Sequence, residues 1–400
     1  MNRVLLINDL EEAKKELTKI KVSSQGIEVM APKALGLFIK LTQVHVGAAN
    51  ILKQEMLSIG GDAAVARGVV NGVEKTSDMI LLGNANKIKK LINKLDHQTI
   101  FGLPKIRTDL ESMLKNVLGK QTTILDCNGK KLKLDSMKIM GVLNVTPDSF
   151  SDGNKFIRVD KAVDHAIQMM EEGADIIDIG GESTRPGAGK VDIPTELERV
   201  IPVIEELRKR IDIPISIDTN KAEVADKAIQ AGASIINDIS ALRFDSGMIK
   251  VLQKYPDVPI ILMHMLGTPQ TMQEEPFYED TIEEIMDFFQ ERIDHCVSNG
   301  INKSRIVLDP GIGFGKRQRD NLIILKKLYE FKTFGLPVQL GASRKSFIGK
   351  VYDSKPEDRL EGSLAATALA FQNGIDIVRV HDVKQHKLFM QTLQSIKDVK

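Results

Sequence analysis

The 400-residue chain has no tryptophan and only 4% aromatic residues. Its core must therefore be built from Ile, Leu, Val, Met and Ala, and an apolar content of 42% is enough for a large one. That apolar content and a near-neutral charge exclude disorder as the main state. Cysteine is nearly absent. Cys127 and Cys296 alone cannot make a disulfide framework or a four-thiolate zinc site. Charge of one sign is lacking too: 55 basic and 54 acidic residues leave a net +1. This argues against nucleic acid or a membrane surface as partner, but not against a local basic pocket. No run of about 18 apolar residues exists, so no membrane span is expected. The opening MNRVLLINDLEEAKKEL has too short an apolar stretch and too many early acids for a signal peptide. The expectation is a soluble protein of a reducing cytoplasm.

What the chain does have is rhythm. Short apolar, β-branched runs recur at 137–145, 174–180, 213–218, 234–239, 259–264, 305–309, 337–341 and 375–380. Runs such as IIDI, IIND and DIVRV read as strands buried on both faces, as a parallel sheet requires. Segments of helical spacing lie between them. At 159–172 the apolar positions are Val159, Ala162, Val163, Ala166, Ile167 and Met170, with Gly173 as the stop. A second amphipathic helix is expected over 281–297. Eight strands each followed by a helix predict a (β/α)8 TIM barrel of the α/β class. A doubly wound open sheet would need fewer strands and a phosphate loop after the first.

Just before the first strand, TTILDCNGKKLKLD reads as a β-hairpin turning at Asn128-Gly129, expected to plug the bottom of the barrel. The barrel domain is thus assigned to 121–400. Residues 1–120 read as a separate small α/β domain of unknown role. Its expected elements are a strand at 4–7, a helix at 9–20 capped by Asp9, a long helix at 36–58 and a strand at 79–82. A Lys-rich helix at 86–95 follows, then a linking helix at 108–118 opened by a Thr108/Glu111 capping box. LKQEMLSIGGDAAVARGVVNG holds no metal or nucleophile set, and Glu55, Asp62 and Arg67 suit a solvated face. A packing or oligomerisation role is favoured there over a second ligand site.

In such a barrel chemistry sits at the carboxyl ends of the strands. All eight ends are polar: Asn144, the GGESTRPGAGK run, Asp218, Asn237-Asp238, Met263-His264, Asp309, Ser343-Arg344-Lys345, and Arg379 with His381. An Asp at a strand end is often only a helix cap. Eight such ends are harder to explain that way, because burying uncompensated polar groups costs stability. Asn144, Asp218, Asn237 and Asp309 lie deep in apolar runs and suit a flat hydrogen-bonding heterocycle, a carboxylate matching an N–H beside an amino group. Arg185, Lys345, Arg379 and His381 suit a phosphate or diphosphate. His264 has two readings, a satisfied core histidine or a site residue. Lys316 reaches either the site or solvent, and Asp238 can orient a neighbour instead of touching a ligand. His165, His295 and His386 fall in helices and are read as inert. Neither GGESTRPGAGK nor GIGFGK has the spacing of a nucleotide-binding loop.

The motifs MGVLNVTPDSFSDG, DIGGESTRPGA, SIDT, IND, MHMLGTPQTMQ, LDPGIGFGK, SRKSFIG and RVHDV, in this order over 121–400, resemble dihydropteroate synthase. The resemblance implies condensation of 6-hydroxymethyl-7,8-dihydropterin diphosphate with p-aminobenzoate, giving 7,8-dihydropteroate and pyrophosphate in folate biosynthesis. It implies pterin binding by Asp218, Asn237, Met263, Asp309 and Lys345, and pyrophosphate binding by Asn144, Arg379 and His381, with Mg2+ on Asn144. It implies catalytic parts for Asp152, Lys345, Arg379 and His381 in a dissociative displacement through a pterin methylene cation. Phe150, Thr184, Arg185, Pro186, Phe314 and Ser346 would frame the p-aminobenzoate pocket where sulfonamides compete. A homodimer is implied as well. Asn154, Leu266 and ALRFD at 241–245 depart from the usual pattern, which touches loop details. The alternatives are a pterin-binding methyltransferase of the same superfamily, against which NVTPDSF, SRKS and RVHD argue, and a non-catalytic pterin-binding homologue.

Overall fold

The computed structural model describes residues 2–7, 9–69, 72–119, 123–146, 155–183 and 189–399, with 155–158 described in backbone only. The chain divides into two compact units, Met1–Gln121 and Thr122–Lys400.

The first unit pairs three antiparallel strands, β1 (Gly36–His45), β2 (Asp62–Val65) and β3 (Thr76–Asn84), in the order β1-β3-β2. Helices Val46–Ser58, Ala85–Lys94 and Leu103–Leu118 bury Leu52, Met56, Ile88, Leu91 and Leu110 together with Met79 and Leu81 of β3. Asp9 caps helix Leu10–Lys19 as expected, accepting from the Glu12 amide at 2.8 Å. Three expectations are corrected. Residues 4–7 are not a strand. The long helix at 36–58 is β1 followed by a helix, because GLFIKLTQVH alternates over its first half, a strand period that the following apolar stretch masks. The last helix begins at Leu103 after Gly102, with Pro104 in its first turn. Thr108 lies inside it, its hydroxyl donating to the Pro104 carbonyl at 3.1 Å, so there is no Thr108 cap.

In the second unit β4 (Thr123–Cys127) and β5 (Lys130–Leu134) form the expected hairpin. Asn128 and Gly129 both hold positive φ, 56° and 86°, as a mirror-image two-residue turn requires. The eight runs become parallel strands: β6 (Lys138–Asn144), β7 (Ile176–Gly180), β8 (Ile215–Asp218), β9 (Ile235–Asp238), β10 (Ile260–Met263), β11 (Ile306–Asp309), β12 (Gln339–Leu340) and β13 (Ile377–Val380). Their order is β11-β10-β9-β8-β7-β6-β13-β12, and a parallel bridge from Leu308 to Val338 joins the last edge. The sheet therefore closes into a barrel, and the open-sheet alternative is excluded.

Side chains alternate along each strand. Ile139, Leu143, Ile177, Ile179, Ile215, Ile217, Ile236, Leu308 and Val378 face outward into the helix layer, in one core with Val163, Val203, Ile285 and Phe289. The inward set starts apolar. Met140, Ile176, Ile235, Ile261, Val307 and Ile377 pack on Leu125, Cys127, Leu132 and Leu134 of the hairpin, which is the plug. One pleat further along, the inward positions become Asp178, Ser216, Asn237, Met263, Asp309, Gln339 and Arg379. Among the described residues no helix is long and apolar enough to cross a membrane.

Candidate active site

The upper inward layer forms one hydrogen-bonded network. Arg379 Nε donates to Asp178 Oδ2 at 2.6 Å, and an Nη donates to Asp218 Oδ2 at 2.8 Å. Asn237 Nδ2 donates to the same Asp178 oxygen at 3.1 Å. Register places these residues side by side, with Asp178 opposite Ser216 and Asp218 opposite Asn237 in adjacent strands. Burial works against the charge of Arg379, but the Asp178 and Asp218 carboxylates outweigh it and raise its pKa. Burial pushes the Asp218 carboxyl up to about 7; the Arg379 charge opposes this and the Asp178 charge adds to it.

A second group sits where β11 and β12 end. Asp309 accepts from the Gly311 amide at 2.8 Å and from Gln339 Nε2 at 3.0 Å. Lys345 opens the helix Ser346–Tyr352, donates to the Ile312 carbonyl and holds its ammonium 4.5 Å from the centre of the Phe314 ring. Burial lowers its pKa to about 8 despite the nearby carboxylates. The two groups meet at Gly341, where a Cβ would come within 3.9 Å of Lys345 Nζ and of Arg379 Cβ and 3.8 Å of Asp309 Oδ2.

Met263 is buried with Ile239, Met265 and Met272, and Phe314 packs on them as an apolar wall. His381 lies at the rim, its backbone amide and Nδ1 each 3.2 Å from Ser343 Oγ. Ser346 is exposed. Asn144 ends β6 opposite Gly180, and a Cβ at Gly180 would lie 3.7 Å from Asn144 Oδ1 and 3.8 Å from Asp218 Oδ2. No three His, Cys, Asp or Glu side chains converge on a metal-sized position among the described residues. A single hard oxygen beside the carboxylates suits Mg2+, which keeps most of its waters and takes its other ligands from phosphate. Asp152, Phe150, Thr184, Arg185 and Pro186, with Asn154, lie outside the described residues.

Two buried groups had escaped sequence reasoning. Asp178 is fully buried, with Oδ1 unpartnered, and Gln339 Oε1 is unpartnered as well. The available signal was a charge in mid-strand, as in IIDI, since such a group is not buried without a partner. Lys316 is buried against His264 and so does not reach solvent. Asp238 is an orienting residue, accepting from the Ser240 and Leu242 amides at 2.7 and 2.8 Å. It thereby holds ALRFD in a turn with Ala241 and Leu242 at positive φ. Just after β7, Glu182 accepts from the Val191 amide at 3.1 Å and pairs with Lys221 at 2.6 Å.

The model of the family described as pterin binding enzyme matches residues 140–381. The dihydropteroate synthase of Bacillus subtilis is 51% identical over 247 residues, 62% of this chain and 84% of that one. The dihydropteroate synthase of Xanthomonas albilineans, solved with 4-aminobenzoic acid, superposes with a TM-score of 0.66 at 44% identity over 70% of this chain and all of that one. Solved with 7,8-dihydropteroate, it gives a TM-score of 0.63 at 42% identity over 69% of this chain and, again, 100% of its own. A probable bifunctional folylpolyglutamate synthase/dihydropteroate synthase of Halobacterium salinarum is 38% identical over 380 residues, 95% of this chain and 45% of its own length. That alignment takes in most of the first unit as well. The chain belongs to the pterin-binding enzyme family, among its dihydropteroate synthases.

Proposed function

We propose that the chain condenses 6-hydroxymethyl-7,8-dihydropterin diphosphate with p-aminobenzoate, giving 7,8-dihydropteroate and diphosphate. The observation that carries this reading is the inward polar layer: carboxylates and an amide deep in the barrel, cationic groups around them. Asp309 and Asn237 read the N–H and amino edge of the pterin, and Lys345 donates to a ring acceptor in exchange for the Ile312 carbonyl. Asp218 accepts from the ring in its ionised form. Met263 supplies an apolar surface for the ring. Arg379, already oriented by Asp178 and Asp218, has further N–H groups to offer the leaving diphosphate, and His381 lies beside it at the rim. These donors stabilise charge as it develops on the leaving group while a pterin methylene cation forms. Asn144 would hold Mg2+, which when bound supplies charge neutralisation on the diphosphate oxygens. The aniline nitrogen then attacks the methylene and gives up a proton to the departed diphosphate, from a pocket walled by Phe314 and Ser346 and, as the resemblance implies, by Phe150, Thr184, Arg185 and Pro186. Asp152 supports the cation. Sulfonamides would compete in that pocket. A cytoplasmic homodimer goes with this reading, and the first unit is read as a packing or oligomerisation element.

The test is an assay of purified protein with both substrates and Mg2+. Dihydropteroate and diphosphate are expected in equal amounts, with Lys345→Ala and Asp218→Ala each lowering kcat/KM by about a hundredfold or more. No product, or indifference to both substitutions, overturns the reading. The pH profile follows from the two shifted groups. Below about 7 Asp218 takes up a proton and no longer accepts; above about 8 Lys345 loses one and donates more weakly. The ratio kcat/KM should therefore peak between these values and fall about tenfold per unit on either side.

A further inference from the structure

The LDPGIGFGK segment ends in a lysine, Lys316, for which the condensation chemistry has no use. Lys316 Nζ is buried 2.9 Å from His264 Nδ1, 3.2 Å from the His264 carbonyl and 3.1 Å from the Phe314 carbonyl. Its partners belong to two loops, the one leaving β10 and the one leaving β11. Nothing but glycine fits at 311, because a Cβ there would run into the His264 carbonyl oxygen, and its φ is +65°. The two loops are thus in contact along their backbones, with the amine of Lys316 as the polar tie between them.

The far side of His264 is held as firmly. Its ring meets Phe288 edge-on at 4.8 Å between centroids, and the Arg243 guanidinium lies 5.1 Å over the same Phe288 while donating to the Met265 carbonyl at 2.7 Å. Burial, then the nearby cations, holds both Lys316 and His264 well below their ordinary pKa values. An uncharged amine has two N–H donors and one lone pair. These fill the three contacts when Nδ1 carries the imidazole proton, and an ammonium fills the same three with its three N–H donors when that proton is on Nε2, so the tie holds in either form. On the other face of the segment, Phe314 presents its ring to the Lys345 ammonium.

We infer that Lys316, held by His264, is a positioning residue that sets the Phe314 wall of the p-aminobenzoate pocket. It touches no substrate and acts through the Phe314 carbonyl. This rests on the assignment of Phe314 to that pocket made above. The consequence is selective: losing the tie should loosen the second substrate and spare the pterin, which binds in the barrel interior.

Lys316→Met keeps the length and removes the donors; His264→Phe keeps the ring contact with Phe288 and removes Nδ1. Each should raise KM for p-aminobenzoate by roughly tenfold with kcat changed less than about threefold. The Kd of dihydropterin diphosphate alone, measured by calorimetry with Mg2+ present, should stay unchanged. An unchanged KM for p-aminobenzoate, or a parallel loss of pterin affinity, overturns the inference. Should Lys316→Met fail to fold, His264→Phe decides alone. Phe314→Ala separates the two levels: if it leaves that KM unchanged, the pocket assignment fails. If it raises KM while Lys316→Met and His264→Phe do not, only the positioning role fails.

Discussion

The two ends of the barrel are built by the same strands, two residues apart, and hold opposite contents. At the plugged end Ile176, Ile235, Val307 and Ile377 face inward onto Leu125, Cys127, Leu132 and Leu134. One pleat along, the same strands turn Asp178, Asn237, Asp309 and Arg379 inward. The lower layer is apolar throughout; the upper buries three charges of these four and leaves Asp178 Oδ1 and Gln339 Oε1 without partners. Each unpartnered buried oxygen costs about 1–3 kcal/mol. The difference shows a division of labour, with the plug contributing stability that the mouth gives up in order to present polar groups to a ligand.

Substitutions at the two ends should therefore separate activity from stability. The largest effect is expected at the mouth. Asp309→Asn keeps the shape, and the unpartnered Gln339 Oε1 can turn to accept from the new amide, so the melting temperature should hardly move. The lost acceptor for the pterin edge should lower kcat/KM by roughly a thousandfold, about 4 kcal/mol. A fall in stability matching the fall in activity would break the comparison. Next comes the plug: Leu125→Ala should cost about 3 kcal/mol in denaturant unfolding, with kcat and both KM values of the folded protein unchanged. A change in KM would mean that the ends are coupled. The smallest effect is expected at the hairpin turn. Gly129 has φ +86° and open space around it, so Gly129→Ala meets no clash and should cost only about 1 kcal/mol of backbone strain.

The eight strands and the hairpin were legible because each is a local pattern: β-branched runs between helical periods, and Asn128-Gly129 between alternating residues. The polar strand ends were legible for the same reason. Residues 36–58 misled, since an apolar strand running straight into an apolar helix carries both periods at once. Asp178 was overlooked because IIDIG reads as a strand buried on both faces, and its one charge found its partner 201 residues away at Arg379. Lys316 could be read as exposed or as a site residue, because nothing near it in sequence indicates that His264, 52 residues earlier, supplies its partner.

By itself the sequence determined the element types of the second unit, the barrel count and which residue types stand at the strand ends, since all of these follow from spacing along the chain. Tertiary structure decided which of those residues meet. Strand register set Asp178 beside Asn237 and under Arg379, and the close approach of two loops buried Lys316 on His264. The physical reason is that a strand's period states that a side chain faces inward, whereas its neighbour across the barrel depends on the alignment of strands far apart in the chain.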